Sequence, residues 1–229
     1  MIDKKLERYY RDYRTPCECP KQVHRPDEIA KDATRAYLLR QKNSHRGIGA
    51  KTNLTEFHAN SVDQPFLDEI GDLQNLEWLS LTHVTAKDLT PLTKLPKLST
   101  LYLDLVREAD DLSPIAGIPQ LTRLRVSEPK RVGDLEYLAG ADKVIAFMTA
   151  GGMWSDLKLE SLRPLAYLPR LEYVLMPSVR LVDKDLSCIA DIRTLKYFNV
   201  ARFAPKREFV ALRRLRPDLD CHWCDKYEV

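Results

Sequence analysis

The block LTPLTKLPKLSTLYL, beginning at Leu89, returns as LSPIAGIPQLTRLRV from Leu112 and as LRPLAYLPRLEYVLM from Leu162, with both prolines in place each time. More divergent copies complete the series: LDEIGDLQNLEWLSL from Leu67, LEYLAGADKVIAFMT from Leu135 and LSCIADIRTLKYFNV from Leu186. The first leucines advance by 22, 23, 23, 27 and 24 residues. A period of roughly 20–50 residues is that of one supersecondary unit in a solenoid. Such a unit is too small to enclose a core, so it buries its apolar side chains only against its neighbours.

Within a block the apolar residues fall at offsets 0, 3, 6, 9, 12 and 14, represented by Leu89, Leu92, Leu95, Leu98, Leu101 and Leu103. Spacing by three suits tight helical or 3₁₀ turns, and the closing pair two apart has the period of a strand. The prolines at 91, 96, 114, 119, 164 and 169 fit the outer side of such a stack. There a fixed φ and a missing N–H do no harm, whereas inside a central strand they would. Six copies in phase resemble the leucine-rich-repeat family, with its L-x-x-L-x-L core, and the short Pro-containing units are similar to its bacterial, internalin-like members. The resemblance spans about residues 54–224. It implies an α/β solenoid: a curved right-handed superhelix with a parallel β-sheet on the concave face and short helical or 3₁₀ turns on the convex face. One departure concerns the position three residues after the last strand leucine, where many members carry Asn or Cys. This chain has Val62, Val84, Val106, Pro129, Gly152, Val179 and Phe203 there, so no asparagine ladder can join the turns and apolar packing is expected to do so.

Three regions follow from the repeat. Residues 1–53 form an N-terminal cap or arm, residues 54–201 the repeat domain, and residues 202–229 a C-terminal cap. Shifting the frame upstream brings LTEFHAN, from Leu54, and then ATRAYLL, from Ala33, into phase, so both segments are expected as strands, the second preceded by a short helix after Pro26. QKNSHRGIGAKTN, polar and with two glycines, is expected to be the least ordered stretch. KREFVALRRLRPDL reads as an amphipathic helix with Phe209, Leu212 and Leu215 on one side and a solvated arginine face on the other. Cys221 and Trp223 of CHWC lie in phase with Phe198 and Val200, which predicts a final capping strand with its two thiols on opposite faces, poorly placed for a disulfide or a chelate.

Charge narrows the functional classes. The 36 Lys and Arg against 33 Asp and Glu leave a net charge of only +3, too little for a nucleic-acid or membrane surface to be expected as partner. The N-terminus lacks the apolar stretch of a leader peptide, and no run of 18 apolar residues occurs. A cytoplasmic monomer is the expectation. Five cysteines, at 17, 19, 188, 221 and 224, are too few and too scattered for a secreted disulfide framework. No phosphate-binding glycine loop, nucleophile elbow or paired-histidine zinc motif is present. Cys17-Glu18-Cys19 with His24 is a weak metal candidate. No cofactor, metal or catalytic residue is therefore assigned.

In the implied fold, side chains alternating with the buried ones point into the concavity. These columns collect Trp78, Tyr102, Met148, Tyr173, Leu175 and Tyr197 around Arg123 and Arg125, residue types enriched in protein interfaces. Either they form a binding surface for a protein partner, or tyrosines simply suit exposed strands and a terminal segment folds over them. The long fourth step holds TAGGMWSDLKLE, in which Met153 and Trp154 are either an exposed contact point or a plug over a leucine-poor repeat. The expected function is non-enzymatic protein binding through the concave face, as an immunity or adaptor protein would do; a secreted, host-directed effector is the alternative.

Overall fold

The computed structural model describes Tyr9 and residues 20–227. Among these, nine parallel strands form one sheet, and all but the first step of their order follow the repeat. The strands are β1 (Gln22–Val23), β2 (Arg35–Leu39), β3 (Glu56–Val62), β4 (Trp78–Val84), β5 (Thr100–Val106), β6 (Arg123–Ser127), β7 (Ala146–Ala150), β9 (Tyr173–Met176) and β11 (Tyr197–Val200). Two more strands, β8 (Leu157–Leu159) and β10 (Val179–Leu181), pair with each other in a second small sheet. The 27-residue step creates this second sheet, because the extra residues after β7 carry the chain out and back before the next turn.

Register follows the apolar pattern, since a slip by one residue would turn every leucine into the concavity. The inward column runs Phe57, Leu79, Leu101, Leu124, Phe147, Val174 and Phe198 across paired strands. All of these side chains are buried in one continuous core. On the convex side, 3₁₀ helices at Thr90–Lys94, Ser113–Gly117, Glu136–Leu138 and Arg163–Tyr167 stack beside helices α1 (Gln64–Ile70) and α2 (Ser187–Asp191).

These outer turns share a capping device. Asp88, Asp111, Asp134 and Asp185 each stand immediately or almost immediately ahead of a repeat's first leucine, and their Oδ1 atoms accept the N–H of Thr90, Ser113, Glu136 and Ser187. Donated hydrogen bonds favour the carboxylate. The Thr90 hydroxyl and N–H hold Asp88 below its ordinary range, and the Ser113 and Ser187 backbones do the same for Asp111 and Asp185. Because the folded-state values are depressed, the contribution is complete above the ordinary carboxylate value and is lost as pH falls below it. The triple variant Asp88→Asn, Asp111→Asn, Asp185→Asn keeps an acceptor without the charge. Its fall in Tm between about pH 5 and pH 2.5 should be smaller than the wild type's by about 2–4 °C, measured by circular dichroism; equal falls would mean that these caps do not couple to folding.

The missing asparagine ladder is replaced in two ways. Val62, Val84 and Val106 are fully buried, as expected for apolar packing. Each is preceded by a residue with left-handed backbone, Ser61 at φ 62°, His83 at 54° and Leu105 at 57°, which turns the valine inward. The valine carbonyl then accepts an N–H from the following turn, as in Arg107 N to Val84 O at 2.8 Å. At the strand entrances hydroxyls reach across turns, Thr55 to Thr34 O, Ser99 to Glu77 O and Thr122 to Ser99 O.

The ends hold four findings, three of them against expectation. A 3₁₀ helix at Pro26–Glu28 leads into β2, as the sequence suggested, but β2 is fully paired with β3, and β1 continues the sheet beyond it. The polar stretch 41–53 is ordered around Ile48, which is fully buried, and His45, whose ring stacks on Phe66 at 5.0 Å. Burial, the largest influence, lowers the His45 pKa, and the Asp63 carboxylate works against it. At the other end CHWC is not a strand: only Asp220 bridges to Tyr197, and His222–Tyr227 forms a helix, α4. The helical turn brings Cys221 and Cys224 to the same side, both buried, and joins them in a disulfide. Alternation across a strand had separated the thiols; a rise of about 1.5 Å per residue in a helix does not.

The arginine face is the fourth. On α3 (Lys206–Leu215) Phe209 and Leu212 are buried as expected, but Leu215 is 60% exposed, and Arg213 and the following Arg216 are buried instead. Arg216 donates to Ile192 O at 2.8 Å and Leu195 O at 2.6 Å and forms a two-point pair with Asp218. Arg213 donates to Pro217 O and Leu219 O and pairs with Asp225. The guanidinium of Arg216 thus supplies donors to two carbonyls at the end of the last repeat turn, Ile192 O in addition to the Leu195 N–H it already accepts.

Candidate functional site: the concave face

Pairing places the predicted residues in straight lines across the sheet. Trp78, Thr100, Arg123, Ala146, Tyr173 and Tyr197 form one line, and Ser80, Tyr102, Arg125, Met148, Leu175 and Asn199 the next. All eight predicted residues therefore lie on the concave side. They are not all open to solvent, however. Trp78, Tyr102, Met148 and Tyr173 are buried, while Arg123, Arg125, Leu175 and Tyr197 are half-buried.

Toward the N-terminal half, rings cover one another. His58 lies 4.3 Å from Trp78, and Trp78 meets Tyr102 edge-on at 5.6 Å. Arg125 stands over the Tyr102 ring at 5.8 Å, donates from Nε to Ser127 Oγ at 3.0 Å, and pairs with Asp104 at 3.2 Å. These contacts hold the guanidinium in one orientation, so a ligand meets it without the usual cost of ordering a long side chain.

Toward the C-terminal half the cover is Tyr9. Its ring stacks on Tyr173 at 5.2 Å and meets Tyr197 edge-on at 5.5 Å, and its hydroxyl donates to Glu172 Oε2 at 2.6 Å. Lys196 Nζ sits 3.1 Å from the same carboxylate oxygen. Tyr9, Ile145, Ala146, Met148 and Tyr173 form a buried apolar cluster, with Leu175 and Tyr197 packed on it, separate from the core beneath the sheet. Of the two sequence readings, the one in which terminal residues cover the tyrosines describes this half at Tyr9, the one described residue among 1–19. Reasoning from the repeat missed Tyr9 and Glu172, because Tyr9 lies outside the repeat and Glu172 stands one residue ahead of the strand pattern. Asp104 stands two residues after Tyr102 on β5 and carries no signal in the sequence until Arg125 is seen against it.

On the rim beyond β7, the loop 151–157 is pinched at its base. The N–H groups of Gly151 and Leu157 both donate to Ser178 O, at 2.8 and 2.9 Å. A Cβ on Gly151 would fall 2.3 Å from both Leu157 N and Ser155 O, so only glycine closes this base. The tip presents Met153, 86% exposed, and Trp154, 93% exposed; it projects into solvent and plugs nothing. A groove of about 460 Å³ lies alongside, lined by Arg107, Glu128, Lys130, Asp156 and Lys158 among others.

Chemistry for catalysis is sparse. Burial, followed by the Asp185 and Asp183 carboxylates, pushes the Cys188 thiol up to about 11, which leaves it protonated and a poor nucleophile. Cys221 and Cys224 are spent on each other. Among the described residues no three His, Cys, Asp or Glu side chains cluster as a metal site, and no helix is long and apolar enough to cross a membrane. Cys17 and Cys19 lie outside the described residues.

The parallel concave sheet, convex 3₁₀ turns and leucine core define an internalin-like leucine-rich-repeat solenoid. Among solved structures, an internalin (inlF) from Listeria monocytogenes is similar to this chain over 82% of its length, with 18% identity and a TM-score of 0.59. The chain spans about half, 53%, of that protein. An internalin C2 (inlC2) from the same organism matches 65% of this chain and 72% of its own, with 22% identity and a TM-score of 0.44. No family model matches the chain, and neither does any curated protein.

Proposed function

We propose that this chain is a non-enzymatic binding module that takes a protein partner on its concave face, acting as a monomer and without a cofactor. The observation that carries this reading is Arg125, half-buried on the concave side and held in one orientation by Tyr102, Ser127 and Asp104. The solenoid stacks through the core on the other side of the sheet, so the fold does not need aromatic, Met and Arg side chains on the concave side for its own cohesion. Those are the types that concentrate binding energy in interfaces. Nine strands at about 4.8 Å give a face on the order of 40 Å long, enough for an interface of standard size. An immunity or adaptor role, in which the protein neutralises or escorts one partner in the cytoplasm, is the finer form of the proposal.

Affinity capture with the full chain tests it. Arg125→Ala combined with Leu175→Ala changes two half-buried side chains and should weaken capture by about 100-fold at unchanged circular dichroism, as for two interface residues each costing over 1 kcal/mol. Lys94→Ala on the convex side should leave capture intact. Equal capture by the concave variant would place the partner elsewhere. The Cys221–Cys224 disulfide favours a second reading, an exported, host-directed effector, since such bonds persist in oxidising compartments.

A further inference from the structure

Resting on the concave-face reading, we propose that the seat of Tyr9 is the recognition pocket for a tyrosine side chain of the partner, and that Tyr9 is an internal stand-in that yields to it. The pocket has every part that phenol recognition requires. Tyr173 offers a ring to stack on and Tyr197 a ring edge, while Met148 and Ala146 complete the apolar wall. At the far end Glu172 accepts from the hydroxyl at 2.6 Å. A carboxylate there selects a donor: a phenylalanine ring would leave Glu172 short of a charge-assisted hydrogen bond, and a phosphorylated tyrosine would meet like charge. All of this lies outside the core that stacks the repeats. The pocket also continues. Met148 and Leu175 are shared with an adjoining cavity of about 70 Å³ lined by Arg125, Ser127 and Pro177, which offers a guanidinium to the residue next to the incoming tyrosine.

The test empties the seat and offers it small probes. Full-length Tyr9→Ala, with ¹³C-methyl methionine, is titrated with p-cresol, toluene and p-tolyl phosphate while the Met148 methyl signal is followed by NMR. The expected result is saturable binding of p-cresol, at least about tenfold weaker binding of toluene, and no binding of p-tolyl phosphate, with no saturable shift in the wild type. A folded variant that ignores p-cresol, that binds toluene equally well, or that accepts p-tolyl phosphate overturns the proposal. Should Tyr9→Ala fail to fold, Tyr9→Val goes through the same titrations; failure of both to fold would mark Tyr9 as a core residue and overturn the proposal too. Partner capture plays no part here. The pocket can therefore fail while the concave variants still lose the partner, or hold while they do not.

Discussion

Replacing Arg216 by Met, which keeps the aliphatic stem and removes the guanidinium, should destabilise the protein by about 2–5 kcal/mol. The estimate comes from two backbone carbonyls inside the protein: Leu195 O loses its guanidinium donor and Ile192 O keeps only the Leu195 N–H, at about 1–3 kcal/mol each. The partner Asp218 contributes little to this sum, because its carboxylate is largely exposed. It does add a pH signature. Hydrogen bonding from Arg216 draws the Asp218 pKa down to about 2, so the pairing is present above the ordinary carboxylate value and lost as pH falls through about 2. Urea unfolding at neutral pH measures the loss, and Arg216→Lys, which can reach only part of the set, should fall between the two. In a one-dimensional stack the damage should begin locally. Hydrogen exchange should quicken first in β11 and α3 while β3 to β5 stay protected, and uniform quickening would show that the cap is not a separate cooperative unit.

Phe147→Ala should cost a comparable amount, about 3–5 kcal/mol, by leaving a cavity in the middle of the solenoid. Phe147 is fully buried on β7, level with Leu124 on one side and Val174 on the other. Its repeat is poor in leucine, with Ala141, Val144 and Thr149 at offsets where the block from Leu89 has leucines. Neighbouring turns are tied by backbone ladders on both sides and cannot collapse into the gap. Phe147→Leu should recover most of the loss, since it restores volume at modest cost in shape. A loss below about 1 kcal/mol for Phe147→Ala would mean that the fourth repeat relaxes freely and that the stack is looser there than its burial indicates.

The rim and the concave floor divide the remaining functional questions. Met153 and Trp154 are exposed because the loop 151–157 is closed by a glycine that admits no side chain, whereas Tyr173 is shielded because a residue far away in sequence lies on it. Neither fact follows from the repeat. Leu215 and Arg216 make the same point at the end of the chain: helical periodicity placed the leucine inside and the arginine outside, and the structure reverses them. Without Arg216 the buried Leu195 O would go without its guanidinium donor, a cost comparable to what the burial of one more leucine returns.

What the sequence determined by itself was the solenoid, its register and which side chains occupy each column. Six leucine blocks in phase can bury their apolar residues only against one another, and a strand alternates its faces, so spacing alone orders the stack. The tertiary structure alone decided what covers the columns and how the stack ends. Tyr9 reaches Glu172 across 163 positions, Arg216 of the cap finds carbonyls one repeat back, and Cys221 meets Cys224 only because that turn is helical. These are contacts between segments with no shared period, set by which groups would otherwise lack a partner, and periodicity carries no record of them.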